Sequence, residues 1–184
     1  MDFPAFPKVF SIGHRQISNI FDGEVEITEK LDGSQFAFAK IQGQLVCRSR
    51  GKILDFDYPD QLFAEGIQQV QKIAYAIPDN WAFYGELLKK PKHNTLKYAR
   101  VPTGHIALFG YNPPDNTHLY SYSALCTFAK NFGMDVVPRI YQGIVKNVDD
   151  LLGMLDRESF LGGTKIEGIV VKNWNKSFLL YFPM

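Results

Sequence analysis

The tightest constraint on this chain is a two-residue alternation that recurs along it. Residues 24–28, EVEIT, alternate acidic with apolar or β-branched side chains, and residues 35–40, QFAFAK, alternate again. A strand sends successive side chains to opposite faces, so both runs read as strands with one buried face. Residues 43–49, GQLVCRS, follow a turn at Gln42-Gly43 and suggest a hairpin. Further strands are predicted over 81–88 (WAFYGELL), 105–112 (HIALFGYN), 136–145 (VVPRIYQGIV) and 166–174 (IEGIVVKNW). Helical spacing is confined to three stretches. Residues 60–76 carry Leu62, Phe63, Ile67, Val70, Ile73 and Ala74 on one face, with Pro78 beyond to stop them. Residues 121–131 are closed by Gly133, and residues 148–155 are capped by Asn147. Residues 1–23, broken by Pro4, Pro7, Gly13 and Gly23, read as irregular. Strands outnumber helices and do not alternate strictly with them. The fold class is therefore α+β, mostly antiparallel sheets flanked by helices.

Bulk properties narrow the function. The 184 residues suit one domain, and 46% hydrophobic with 21% charged residues is ordinary for a globular protein. The net charge of +1 does not suggest a protein coated in nucleic acid, yet it permits a local basic groove. Cys47 and Cys126 form no CxxC and have no histidine at ligand spacing, so a reduced, cytoplasmic protein without zinc is expected. The N-terminal MDFPAFPKVF lacks the apolar core of a signal peptide, and no apolar run approaches the roughly 18–20 residues of a membrane span. A soluble chain with no membrane partner follows as the expectation.

Chemistry concentrates at a few strand ends. Lys30-Leu31-Asp32-Gly33 sits between Glu29 and Ser34 where the alternation breaks. A lysine nucleophile must be neutral, and an unperturbed ammonium is neutral in roughly one molecule in 2,500 at pH 7. Positive neighbours, a metal or burial must depress its pKa. Alone, K-x-D-G reads as a charged turn. Arg48-Ser49-Arg50-Gly51-Lys52 closes a strand with arginine forks suited to phosphate, or else is a solvated turn. Glu86 ends the apolar FYGE run, and Phe109 in IALF could stack on a base or pack in the core. Glu167 and Lys172 bracket EGIVVK as the charged ends of a strand. A basic loop holds Lys89, Lys90, Lys92, Lys97 and Arg100, fit either for a polynucleotide backbone or for solvent. His93, His105 and His118 take no role, and the tail with Phe178, Tyr181 and Phe182 reads as a strand or an exposed patch.

In this order and spacing the segments resemble the signature motifs of the covalent nucleotidyltransferase superfamily, which holds DNA ligases, RNA ligases and mRNA capping enzymes. EKLDGS is similar to motif I, RSRGK to motif Ia, FYGE to motif III, IALFG to motif IIIa and EGIVVK to motif IV. The likeness runs from Glu29 to Lys172 and is nearest the RNA ligase 2 and RNA-editing ligase branch, where a glutamate precedes the lysine. It implies a nucleotidyltransferase (ATP-grasp-like) ligase fold with the nucleotide site between its sheets, and residues 1–184 as a single adenylyltransferase domain that ends before motif V.

The resemblance also implies a reaction. Lys30 attacks the α-phosphorus of ATP; AMP passes to a 5′-phosphate end; a 3′-hydroxyl displaces AMP and seals the strand. Its substrates would be RNA ends, nicked duplex among them, and the protein would act as a monomer. Asp32 and Glu167 would surround Mg²⁺ (or Mn²⁺), and Lys172 would sit on the α-phosphate. Glu86 would hold a ribose hydroxyl or join the metal site, and Phe109 would stack under adenine. Glu29 would accept from the adenine amine, and Arg50, with Arg48 in reserve, would contact phosphate. One departure stands out: motif V, a K-x-K pair, is missing, and past Lys172 the sequence offers Lys176 alone. A DNA ligase catalytic domain and a non-catalytic nucleotide- or RNA-binding relative are the alternatives, with capping enzymes behind them.

Overall fold

Alternate residues do divide between a core and an opposite face, and they do so in two separate sheets. The structure, a computed structural model, describes residues 3, 5–114, 121–176 and 178–184, with residue 178 by its backbone alone. His118 and the side chain of Phe178 lie outside the described residues. The strands are β1 (Val9–Ser11), β2 (Glu24–Lys30), β3 (Ser34–Ile41), β4 (Gln44–Ser49), β5 (Ala82–Leu87), β6 (Ile106–Asn112), β7 (Asp135–Val136), β8 (Arg139–Ile144), β9 (Gly168–Asn173) and β10 (Phe178–Pro183). The helices are α1 (Ala64–Lys72), α2 (Tyr122–Phe132) and α3 (Asp149–Leu155). The class is thus α+β with predominantly antiparallel pairing; β1–β10 and β6–β7 pair in parallel, as does an isolated bridge between Lys40 and Asp79. Among them no helix is long and apolar enough to cross a membrane.

Contacts divide the chain into two compact units. The first comprises Met1–Ala5, Gly33–Asn94 and Arg100–Val136, and holds the sheet β4-β3-β5-β6-β7 with α1 and α2. Its core gathers Phe36, Phe38, Cys47, Phe83, Leu87, Ile106 and Leu108 from the strands with Ile67, Val70, Leu125, Ala129 and Phe132 from the helices. Phe38 stacks on Phe83 with centroids 5.4 Å apart, and Phe83 meets Phe132 edge-on at 4.9 Å. The caps of α2 are as expected: the Ser121 hydroxyl accepts from the Ala124 amide at 3.3 Å, and Gly133 adopts a left-handed φ of 62°. Helix α1 begins later than its pattern suggests. The Asp60 carboxylate accepts from the Leu62 amide at 3.0 Å and the Asp60 carbonyl from the Phe63 amide at 2.8 Å, so a local turn competes with the first helical turn.

The second unit comprises Phe6–Asp32, Thr95–Ala99 and Val137–Met184, and holds the sheet β1-β10-β9-β2-β8 with α3. Val25 and Ile27, Ile169 and Val171, and Leu180 and Phe182 pack in its core with Leu151 and Leu155 of α3. Asn147 supplies the expected bond at the start of α3, accepting from the Asp150 amide at 3.1 Å. Two expectations are corrected. Residues 136–145 are not one strand: Pro138 lacks a ladder donor, and β7 and β8 on either side of it join different sheets. The N-terminal stretch is not wholly irregular, because Val9–Ser11 pairs in parallel with Leu179–Tyr181.

Phe38 is fully buried against the rings of Phe36, Phe83 and Phe132. Phe38→Ala should lower the unfolding free energy by about 3–5 kcal/mol, the usual cost of removing a large core side chain. Urea unfolding checks this; a loss below about 1 kcal/mol would show that the aromatic cluster closes over the gap.

Candidate active site

In the second unit, β2 and β9 pair with Lys30 opposite Gly168, Thr28 opposite Val170 and Glu26 opposite Lys172. Val25, Ile27, Ile169 and Val171 point into the core, so strand alternation puts Glu26, Lys30 and Lys172 together on the other face. The Lys30 ammonium donates to the Leu31 carbonyl at 2.9 Å and to Glu167 Oε2 at 3.1 Å. The Tyr181 hydroxyl donates to Glu167 Oε1 at 3.3 Å, and the Tyr181 ring lies 5.9 Å from Lys30 Nζ. Burial, reinforced by the Glu167 charge, pushes the Tyr181 phenol up to about 12, so it stays a donor at neutral pH.

Lys172 is only 2% exposed, and its ammonium reaches Glu26 Oε1 at 3.4 Å while Arg139 approaches Glu26 Oε2 at 3.8 Å. Burial pulls the Lys172 ammonium below its ordinary range, and Glu26 opposes that pull. Lys176 pairs with Asp22 at 3.0 Å.

Asp32 ends the second unit's first segment and is held from three directions. Its amide donates to the Tyr98 hydroxyl at 2.8 Å, and its Oδ2 accepts from the Thr95 and Leu96 amides at 2.7 Å each. Residues 95–98 thus clamp the turn that follows Lys30. Among the described residues no three His, Cys, Asp or Glu side chains are placed to share a metal ion. Mg²⁺ keeps several waters and needs only one or two carboxylates, so Asp32 and Glu167 fit a hydrated hard cation rather than an all-protein cage.

Glu29 differs from its expected use. It follows the core side of β2, is 4% exposed, and accepts from the Ser159 hydroxyl and, at 3.2 Å, the Phe160 amide. Instead of offering a base two open acceptors, its carboxylate braces residues 159–160 on the face opposite Lys30.

The remaining candidates belong to the first unit. Glu86 is buried on β5, on the face away from the aromatic cluster. A Cβ at Gly33 would lie 2.8 Å from Glu86 Cγ and 2.6 Å from the Leu87 carbonyl, so only glycine fits there. Phe109 is the extra residue of a bulge: Tyr84 pairs with Gly110 but Gly85 with Leu108. Alternation after the core residues Ile106 and Leu108 points the half-buried Phe109 away from the core, and the extra residue returns Tyr111 to the core side. Arg48 donates to the Phe3 carbonyl at 3.0 Å and stacks over the Phe3 ring. Arg50 is exposed and makes no hydrogen bond or ion pair among the described residues. In the basic loop Arg100 pairs with Asp135 at 2.7 Å and Lys89 donates to the Gln61 carbonyl at 2.8 Å, while Lys90 and Lys92 are exposed.

The structure therefore gathers Lys30, Asp32, Glu167 and Lys172 in one unit, and Glu86, Phe109, Arg48 and Arg50 in the other. Sequence reasoning missed Tyr98, Tyr181, Ser159 and Glu26, whose partners lie 66, 14, 130 and 146 residues away. It also gave His93 no role, yet His93 Nδ1 accepts from the Lys89 amide at 3.0 Å, which leaves Nε2–H to donate to the Ser34 hydroxyl at 2.9 Å.

Burial raises the Glu29 carboxyl above its ordinary 4.5, against the opposing bonds from Ser159 and Phe160 and the Arg157 charge. A raised acid stabilises the fold fully below the unfolded value of 4.5, and that contribution is lost as pH rises through the folded value. Glu29→Gln keeps acceptor and donor capacity without the charge. Its stability relative to the native chain should improve between about pH 5 and pH 8. Urea unfolding at the two pH values measures the difference; a pH-independent gap would mean the carboxylate ionises without penalty.

Comparison with known proteins bears on the family and the fold. A family model described as RNA ligase matches residues 23–179. Two structures of Naegleria gruberi RNA ligase variants with ATP and Mn superpose with TM-scores of 0.75 and 0.77, each at 18% identity. A third, of a variant with AMP and Mn, gives 0.69 at 20% identity. Each likeness covers 98% of this chain, whereas the chain spans only 56–57% of those proteins, and at such identity it is the fold that is shared. Comparison with curated proteins finds no match. With the family model spanning residues 23–179, most of the sequence, the chain belongs to the RNA ligase family.

Proposed function

We propose that the chain is the adenylyltransferase domain of an ATP-dependent RNA ligase, with the nucleotidyltransferase fold of that superfamily and Lys30 as its nucleophile. The observation that carries this reading is the placement of the Lys30 amine. It stands at a strand end on the polar face of its sheet, 3.1 Å from Glu167, with Lys172 on the same face. In the reaction the Lys30 amine, having shed its proton to solvent, forms an N–P bond to the α-phosphorus. The bond from that phosphorus to the bridging oxygen breaks, and pyrophosphate leaves with the electron pair. AMP then passes to an RNA 5′-phosphate, and a 3′-hydroxyl displaces it.

All three steps are phosphoryl transfers, in which a protein chiefly positions groups and neutralises charge. Lys172 supplies a buried cation for the α-phosphate, where a fixed charge counts for more than in water. Asp32 and Glu167 would hold Mg²⁺ or Mn²⁺ with its own waters, and the ion would neutralise phosphate charge. Arg50 serves a phosphate better than Arg48, which is tied to Phe3. Glu86 and Phe109, both turned away from their core, suit a ribose hydroxyl and a base. Glu167, paired with Lys30 at 3.1 Å, holds the amine at the strand end where it would meet the α-phosphorus.

Incubation with α-labelled ATP and Mg²⁺ followed by denaturing electrophoresis tests the proposal. The native chain should retain label covalently and Lys30→Ala should retain none while unfolding at the native urea concentration. An unlabelled native chain that still binds ATP would favour a binding module. Phe109→Ala should weaken ATP binding by roughly 1–3 kcal/mol, as expected for a lost base–aromatic stack. Unchanged affinity in the folded variant, by calorimetry, would remove Phe109 from the nucleotide site.

A further inference from the structure

Tyr181 carries no part of the resemblance to the ligase motifs, yet it touches both members of the Lys30–Glu167 pair. Leu180 and Phe182 point into the core, so Tyr181 stands on the face of β10 that Lys30 shares on β2. Strand β9 lies between them, and there Gly168 is the partner of Lys30. A Cβ at Gly168 would come within 2.8 Å of Tyr181 Cε2. With no side chain at 168, the ring crosses β9 and reaches 5.9 Å from Lys30 Nζ. The β10 backbone requires that glycine first, since a Cβ there would press on the Phe182 carbonyl as well, and the tyrosine ring occupies the space the glycine leaves.

We infer that Tyr181 is a positioning residue that sets the Lys30 amine through Glu167. Its hydroxyl donates to Glu167 Oε1, which turns Oε2 toward Lys30 at 3.1 Å. Its ring face forms a second wall beside the ammonium. The carboxylate is thus held by one oxygen and presents the other, so the amine stays aimed from the strand end instead of sweeping through its rotamers. Orientation of this kind acts on the rate of the covalent step rather than on nucleotide affinity. The inference rests on Lys30 being the nucleophile.

The test pairs a kinetic with a spectroscopic reading on the full chain. Tyr181→Phe keeps the ring and loses the hydroxyl. At saturating ATP it should form lysyl-AMP about tenfold more slowly, the scale of one hydrogen bond to a charged group, with the half-saturating ATP concentration unchanged. Tyr181→Leu should be slower still. Separately, the Lys30 Cε protons in selectively ¹³C-labelled protein should show a ring-current shift that survives in Tyr181→Phe and vanishes in Tyr181→Leu. A native labelling rate in Tyr181→Phe overturns the inference, and so does a loss confined to ATP affinity. If the native chain forms no lysyl-AMP, the ligase reading fails instead. The ring-current shift then decides the placement of Tyr181 by itself, and its absence from the native chain overturns it.

Discussion

The register of β2 against β9 is the constraint on which everything chemical in this chain depends. Side chains alternate with a period of two, so a slip by one residue would turn Val25 and Ile27 to the polar face and drive Glu26 and Thr28 into the apolar cluster. Burying Val25, Ile27, Ile169 and Val171 is favourable by roughly 1.5–3 kcal/mol per side chain, and the opposite arrangement would bury charge. The same packing that stabilises the sheet thus puts Lys30 beside Gly168 and Lys172 beside Glu26. No separate interaction is needed to bring the lysines to one face; the hydrophobic pattern does it.

That is why much of the fold was legible and part of the site was not. Alternation in EVEIT and QFAFAK gave β2 and β3, the Ser121 and Gly133 caps gave α2, and motif spacing singled out Lys30, Asp32, Glu167 and Lys172, which fall in one unit. What failed was what depends on distant pairing. The split at Pro138 follows from two sheets competing for one segment, and β1 exists only because β10 offers it an edge. Tyr98 and Tyr181 have no local signature, since their roles come from hydroxyls meeting Asp32 and Glu167 across the fold. The bulge at Phe109, which returns Tyr111 to the core side, is likewise a property of the β5–β6 pair rather than of IALFG itself.

The buried pair of Lys172 and Glu26 is not explained by stability. Desolvating two charges costs several kcal/mol per ion, and a 3.4 Å contact recovers it only in part, so an apolar pair of similar volume would serve the fold as well. A cation fixed in a poorly solvated place is instead what an incoming phosphate needs, and the proposed reaction gives the pair its reason. Glu26 then has a structural task of its own: it opposes the downward push of burial on the Lys172 ammonium.

Glu29 and Lys30 show how adjacency in sequence becomes opposition in space. The motif that joins them suggests a shared task, but a strand separates neighbours onto opposite faces. Glu29 goes to the buried side, where Ser159 and Phe160 occupy its oxygens, and Lys30 goes to the polar side beside Glu167. The segment held by Glu29 in turn meets residues 95–99, through the Ala99 amide on the Gly162 carbonyl at 2.8 Å, and those residues clamp Asp32. The glutamate therefore acts on the lysine's turn from behind, through a chain of backbone contacts. In the proposed reaction base selection then falls to groups other than this carboxylate, and Glu29 contributes the rigidity of the turn that follows Lys30.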